Sequence, residues 1–195
     1  GAVNTIAIDS TGLRGSNTDY PAIIQTICDA LAIEANSLSD KRVAVIGAGG
    51  TARAAVAALA DSGATVVIYN RTRERADTLA REFDGRSGKV VAARLEKLCD
   101  SCCHIFINAT PVGMFPDIDH SPLGGHTPGL SPDTLVLDTI YNPLKTKFLE
   151  QAESAGAKTA NGLDVFIRQA AAQFERWTGR PAPTAVMREA FHKYL

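Results

Sequence analysis

The chain has 195 residues, of which 45% are hydrophobic and 21% charged, and its formal net charge is −1. That length suits one ordinary domain and a piece of a second. The near-neutral charge argues against a nucleic-acid partner, and no apolar run approaches the ~20 residues of a membrane helix.

The opening "GAVNTIAIDS" reads as a strand rather than a basic leader. With no initiating Met, the sequence is expected to start inside a longer protein of the cytoplasm. "DSTG" is a turn signal, and "LRGSNTD" is expected to return as a second strand or extended segment. From Tyr20 to about Asn36, Ile23, Ile24, Ile27 and Leu31 recur at helical spacing. The pattern changes after "SLSDK". "RVAVIG" and "ATVVIYN" are short, nearly all-apolar strands of the kind buried in a parallel sheet. Between them "TARAAVAALADSG" is helical, with Gly63 as its C-cap. "TRERADTLAREF" is an amphipathic helix with Thr72 as N-cap. "KVVAARL" is a weaker strand; "HIFINAT" and "TLVLDTIY" are two more. "KTKFLEQAESAG" is a helix, "AKTAN" a last short strand, "GLDVFIRQAAAQFERWTG" a long helix, and "RPAPTAVMREAFHKYL" runs helical to the end. Strands alternating with helices of this length predict an α/β fold, a Rossmann-like, doubly wound parallel sheet.

Cys28, Cys99, Cys102 and Cys103 supply one CxxC spacing, within "CDSCC". A zinc or redox site needs further ligands at fixed spacing, so buried reduced thiols are expected and no metal site. His104 is expected in the core, His120 and His126 in loops, and His192 on a helix surface.

"VIGAGGTARAA" contains Gly47-Ala48-Gly49-Gly50-Thr51-Ala52, a GxGxxA loop that follows a strand and opens a helix. Gly47 permits the tight turn, Gly49 lets the backbone approach a pyrophosphate, and Ala52 lets the helix pack close on the sheet. The helix N-terminus faces the anion with free N–H groups. The next strand ends in Asn70, Arg71 and Thr72, with Arg75 one turn on, where an NAD binder has Asp or Glu. Asn, Arg and Thr donate to a 2'-phosphate that a carboxylate would repel, which argues for NADP. Arg73 is read as a solvated helix position. "INATPVGM", with Asn108 and Thr110, and "LDTIYNPLKT", with Asp138, Tyr141 and Asn142, fall at further strand ends on the same sheet edge.

Together "GAVNT", "GSNTD", "VIGAGGTARAA", "YNRTRERA", "INATPVGM", "DTIYNPLKT" and "NGLDVFIRQAAAQFERWTG" resemble, in order, the motifs of the shikimate dehydrogenase family. The closing "QFERWTGRPAP" is similar to the dehydrogenase region of the fungal multifunctional arom polypeptide. The resemblance implies reversible hydride transfer between NADPH and 3-dehydroshikimate, in aromatic amino-acid biosynthesis. It assigns the substrate hydroxyls to Asn4 and Asp19, with Gln169 reaching back to the substrate and Tyr141 lining its pocket. It assigns the cofactor to Gly47, Ala48, Gly49, Gly50, Thr51, Ala52 and Arg53, to Asn70, Arg71, Thr72 and Arg75, to Asn108 and Thr110, and to Gly162 beside the nicotinamide. Asp19 matches a catalytic Asp that the family pairs with a Lys from a motif upstream of "GAVNT". That motif is outside these residues, so the fragment is expected to turn over little.

Three residues depart from the family pattern: Ala22 stands for a Gly, and Val165-Phe166 for Met-Leu. Such departures would suit a metabolite-sensing domain of a quinate-pathway repressor; quinate dehydrogenase is a further alternative that the Arg71 environment disfavours. The expected division is a substrate-domain remnant at 1–38, an NADP-binding domain at 39–161 and C-terminal helices at 162–195. The remnant should expose apolar surface and either associate with other domains or a second copy, or be disordered at the N-terminus.

Overall fold

A computed structural model describes residues 2–10, 12–124 and 129–194; His126 lies outside the described residues. Near its start β1 (Thr5–Asp9) and β2 (Gly12–Ser16) form an antiparallel hairpin that pairs Ile8 with Leu13. Side chains alternate across a strand, so Ile6, Ile8 and Leu13 share a face. They are 59%, 81% and 75% exposed, the apolar surface expected of this segment.

The hairpin leads into α1 (Asp19–Leu31). Thr18 is its N-cap residue, and the Asn17 Oδ1 accepts from the Tyr20 N–H at 3.1 Å. Pro21 sits in the first turn, where no intrahelical N–H is required. The helix stops short of Asn36 because Ala32 turns left-handed (φ 55°) and the Ile33 N–H bonds back to the Cys28 carbonyl. Such a cap overrides apolar spacing; the chain continues through a 3-10 turn at Ala35–Leu38.

Six strands then form a parallel sheet: β3 (Arg42–Ile46), β4 (Thr65–Asn70), β5 (Val90–Arg94), β6 (Ile105–Asn108), β7 (Leu135–Asp138) and β8 (Lys158–Ala160). Their order is β5-β4-β3-β6-β7-β8. The chain therefore runs outward from β3 in one direction and returns to build the other half from β6. The β3/β6 boundary is the switch point, and the crevice beyond its carboxyl ends is where such sheets bind ligands. Helices α2 (Gly50–Asp61) and α3 (Arg73–Glu82) follow β3 and β4, and α4 (Lys147–Ser154) links β7 to β8.

Alternation sorts the core into two layers. Val43, Val45, Ile68, Ile105 and Leu137 pack with Ile23 and Ile27 of α1, the alanines of α2, and Ala76 and Leu79 of α3. Ala44, Ile46, Val67, Phe106 and Val136 pack instead with Phe148, Leu149 and Ala152 of α4. After β8, α5 (Gly162–Thr178) ends at Gly179 (φ 65°), and α6 (Thr184–Tyr194) packs Phe191 on Leu163 and Ile167. No helix of the described residues is long and apolar enough to cross a membrane.

The structure corrects two expectations about small side chains. Of the four free cysteines only Cys103 is buried; Cys28 and Cys99 are partly exposed and Cys102 is exposed. "CDSCC" forms the approach to β6 rather than the strand itself, and within it only Ser101 and Cys103 are buried. His104 is exposed, not in the core, and its Nδ1 accepts from the Arg42 N–H at 2.9 Å. Among the described residues no three of His, Cys, Asp and Glu are grouped to hold a metal ion.

Candidate active site

The apolar strand β3 ends at Ile46, and the chain turns sharply at Gly47 (φ 118°) before α2 begins. A Cβ at Gly47 would lie 2.7 Å from the Ala109 carbonyl oxygen on the neighbouring strand end, so a side chain there is excluded twice, by backbone and by space. At Gly49, the N-cap residue of α2, a Cβ would meet nothing within 4 Å. Its bare backbone borders open space, as close approach of a phosphate ligand requires.

That space is a cavity of about 360 Å³ over the β3/β6 switch point. Gly47, Ala48 and Gly49 form its floor, Asn70, Arg71 and Arg75 one end, and Ala109, Thr110, Pro111 and Val112 the facing wall. The cationic end follows from the strand: β4 carries its buried run through Tyr69 and releases the chain at Asn70. The Asn70 Nδ2 donates to the Thr72 carbonyl at 2.8 Å and fixes that turn. Arg73 leaves the site for a salt bridge with Asp77 at 2.9 Å, which fits its reading as a helix-surface residue. Tyr69, Leu95 and Pro122 also line the cavity. Sequence reading missed them because Leu95 reads as the end of a strand but opens a 3-10 turn (Leu95–Lys97), Pro122 lies in a loop, and Tyr69 reads as core.

Seven expected cofactor residues do not line the cavity, each for a visible reason. Gly50 and Thr51 lie inside the first turn of α2, past its Gly49 cap. Ala52 is buried against the sheet, and Arg53 is ion-paired with Glu82 at the end of α3, which holds the Glu82 carboxyl below its ordinary value. Thr72 is exposed and is the N-cap residue of α3, as expected, although its side chain makes no capping bond. Asn108 is 0% exposed and lies behind Thr110. Gly162 does not line the cavity either: a Cβ there would fall 2.3 Å from the Thr139 carbonyl oxygen, so its smallness serves the packing of α5 on the β7 end.

A second polar group forms where the hairpin meets α1 and α5. The Asn4 Nδ2 donates to the Asp19 Oδ1 and the Thr18 Oγ1, each at 3.1 Å, and to the Gln169 Oε1 at 3.4 Å. The Asn4 Oδ1 accepts from the Thr18 N–H at 2.9 Å. Asp19 is half-buried, and that burial raises its pKa while the Asn4 bond opposes the rise. Helix α5 straps the hairpin in place: Gln173 donates to the Asn4 carbonyl at 3.3 Å and the Trp177 indole to the Ile6 carbonyl at 3.0 Å. Gln169, Gln173 and Trp177 stand four residues apart, so they share one helix face. Tyr141 packs on Phe166 (ring centroids 4.7 Å apart) and Phe191 (6.1 Å) near the start of the same helix.

Known proteins are similar to this chain in sequence and in fold. The family model described as shikimate / quinate 5-dehydrogenase matches residues 30–112, and that of the shikimate 5'-dehydrogenase C-terminal domain matches residues 162–190. Shikimate dehydrogenase (NADP(+)) of Halobacterium salinarum is 43% identical over 196 residues, covering 100% of this chain and 70% of its own length. The chain belongs to the shikimate dehydrogenase family. Its members include oxidoreductases of closely similar fold. The Thermus thermophilus shikimate dehydrogenase in complex with NADP(H) and shikimate is 35% identical, with a TM-score of 0.82 over 100% of this chain and 69% of its own. Quinate dehydrogenase from Corynebacterium glutamicum in complex with NAD is 30% identical, with a TM-score of 0.84 over 98% and 68%. Within this family chain the first matched region contains the glycine turn, Arg71 and Thr110, and the second contains Gln169 and Gln173.

Proposed function

We propose that the chain is the NADP-binding and partial substrate-binding part of a shikimate dehydrogenase, which transfers a hydride reversibly between NADPH and 3-dehydroshikimate. One observation supports this most: a glycine turn with an open backbone and a strand end bearing Arg71 and Arg75 share one cavity, and no carboxylate stands among its described lining residues. When bound, the nicotinamide supplies the hydride. The chain's own residues bind and orient. The Gly47–Gly49 backbone takes the pyrophosphate, and Arg71 and Arg75 take the 2'-phosphate as charge-assisted donors. Thr110 and Pro111 hold the cofactor against the switch point. Asn4, Asp19 and Gln169 hold substrate hydroxyls, and burial keeps the Asp19 carboxyl readier to carry a proton than an exposed aspartate.

The family resemblance pairs Asp19 with a Lys from a motif that these 195 residues do not contain, so we expect this polypeptide to bind better than it turns over. Calorimetric titration of shikimate into the NADPH-saturated protein tests the assignment. Asp19→Ala and Gln169→Ala should each remove shikimate binding and leave NADPH affinity in place. Shikimate binding unchanged in both variants would overturn the assigned substrate residues. The same titration with quinate tests the substrate choice. Mixing shikimate with NADP should give little reduced cofactor, and rapid reduction would remove the need for the Lys.

A further inference from the structure

We propose that Asp138 is a positioning residue for the cofactor cavity: it sets the orientation of the Asn108 amide and, through it, the course of the 109–112 wall. The proposal rests on the reading of that cavity as the cofactor site.

Asp138 ends β7 and is fully buried. Its Oδ1 accepts from the Asn108 Nδ2 and from the Ile140 N–H, each at 3.1 Å, and its Oδ2 accepts from the Thr146 hydroxyl at 2.7 Å. No charged side chain takes part. Burial pushes the carboxyl up to about 6, so above that pH it is ionised and can only accept. An acceptor-only group forces Asn108 to turn its NH₂ toward β7. The same NH₂ reaches the Val112 carbonyl at 3.2 Å. The amide oxygen is then left facing Thr110, where it accepts from the N–H at 3.1 Å and from the hydroxyl at 2.6 Å. The Thr110 Oγ1 in turn accepts from the Val112 N–H at 3.2 Å. A flipped amide would put oxygen against carboxylate and NH₂ against the Thr110 N–H. Both contacts would be lost in a buried site, where unmet polar groups are costly.

One carboxylate thus ties together three segments. These are the cavity wall through Asn108, the chain leading to Tyr141 through Ile140, and the start of α4 through its N-cap residue Thr146. Gly162 is joined to the second of these, since its N–H donates to the Ile140 carbonyl at 3.1 Å.

The test compares wild type, Asp138→Ala and Asp138→Asn well above pH 6, with Asp138→Ser read in place of alanine if the latter does not fold. Amide hydrogen exchange is measured without ligand, and NADPH and NADH binding by fluorescence. In the alanine variant, protection at Thr110 and Val112 should fall at least about tenfold while Val66–Tyr69 keep theirs. NADPH and NADH should both weaken by about tenfold with their ratio unchanged, because the Arg71 end is untouched. Asp138→Asn can still offer an oxygen to Asn108 and Ile140, so it should restore protection and affinity to within about threefold of wild type. Undiminished protection at Thr110 and Val112 in a folded alanine or serine variant would overturn the proposal. So would a loss that asparagine does not restore. If the wild type binds neither dinucleotide, the cofactor reading fails, and the exchange data still decide the role of Asp138.

Discussion

At Arg71 the polypeptide leaves β4 with its guanidinium exposed at the end of the cavity, where the buried strand no longer shields it. A charge-assisted hydrogen bond to phosphate at such a solvated site is worth about 1.5 kcal/mol, the low end of the range. Arg71→Ala should therefore weaken NADPH by about tenfold and NADH far less, as read by fluorescence titration. Equal losses would remove Arg71 from cofactor choice. Asp138 makes a separate claim, on stability. Its carboxyl holds a proton up to about pH 6 in the folded protein, against an ordinary value of 3.8. The folded state then binds more protons than the unfolded chain between those values. That contribution is complete below about pH 4 and is lost as pH rises through 6, by up to about 3 kcal/mol. Urea unfolding across this range should show it in the wild type and not in Asp138→Asn. The role of Asp138 was not legible in the sequence, where "LDTIY" reads as a strand end. Its importance comes from Asn108 and Thr146, which the fold brings to it from other elements.

Strand and helix order was legible because each element carries its own local signal. β3 and β4 are apolar runs between turns, α2 is bounded by Gly49 and Gly63, and α5 ends at Gly179. The end of α1 was not legible, because a left-handed Ala32 leaves no glycine to mark it. Burial at strand margins was also misread, as His104 and the cysteines show. Where an element begins can be a matter of contact rather than propensity. Gly162 opens α5 against the β7 end, with no room for a methyl group beside Thr139 and Ile140. Gly162→Ala should displace the first turn of α5 and cost about 1–3 kcal/mol, measurable by urea unfolding. Since α5 also carries Gln169, shikimate binding should weaken in the same variant. Unchanged stability would mean that the helix start can shift without loss.

Across the whole molecule, the two halves of the site differ in how they could be found. The cofactor half lies in contiguous motifs with a known physical logic. The proposed substrate half joins Asn4, Asp19 and Gln169, which no spacing rule connects; the family resemblance groups them, and the fold joins them through the Asn4 amide. The hairpin that carries Asn4 also shows an apolar face of Ile6, Ile8 and Leu13 that nothing in the described residues covers. As this 195-residue polypeptide, the protein should associate through that face as concentration rises. Ile8→Lys with Leu13→Lys should reduce the association seen by sedimentation and leave NADPH binding intact. Association that persists in the double variant would place the contact elsewhere. The central claim is that the cavity at the β3/β6 switch point is built for a dinucleotide bearing a 2'-phosphate. Parallel fluorescence titrations of the wild-type chain with NADPH and NADH test it most directly. NADPH should bind at least about tenfold more tightly; equal affinities, or a preference for NADH, would contradict it.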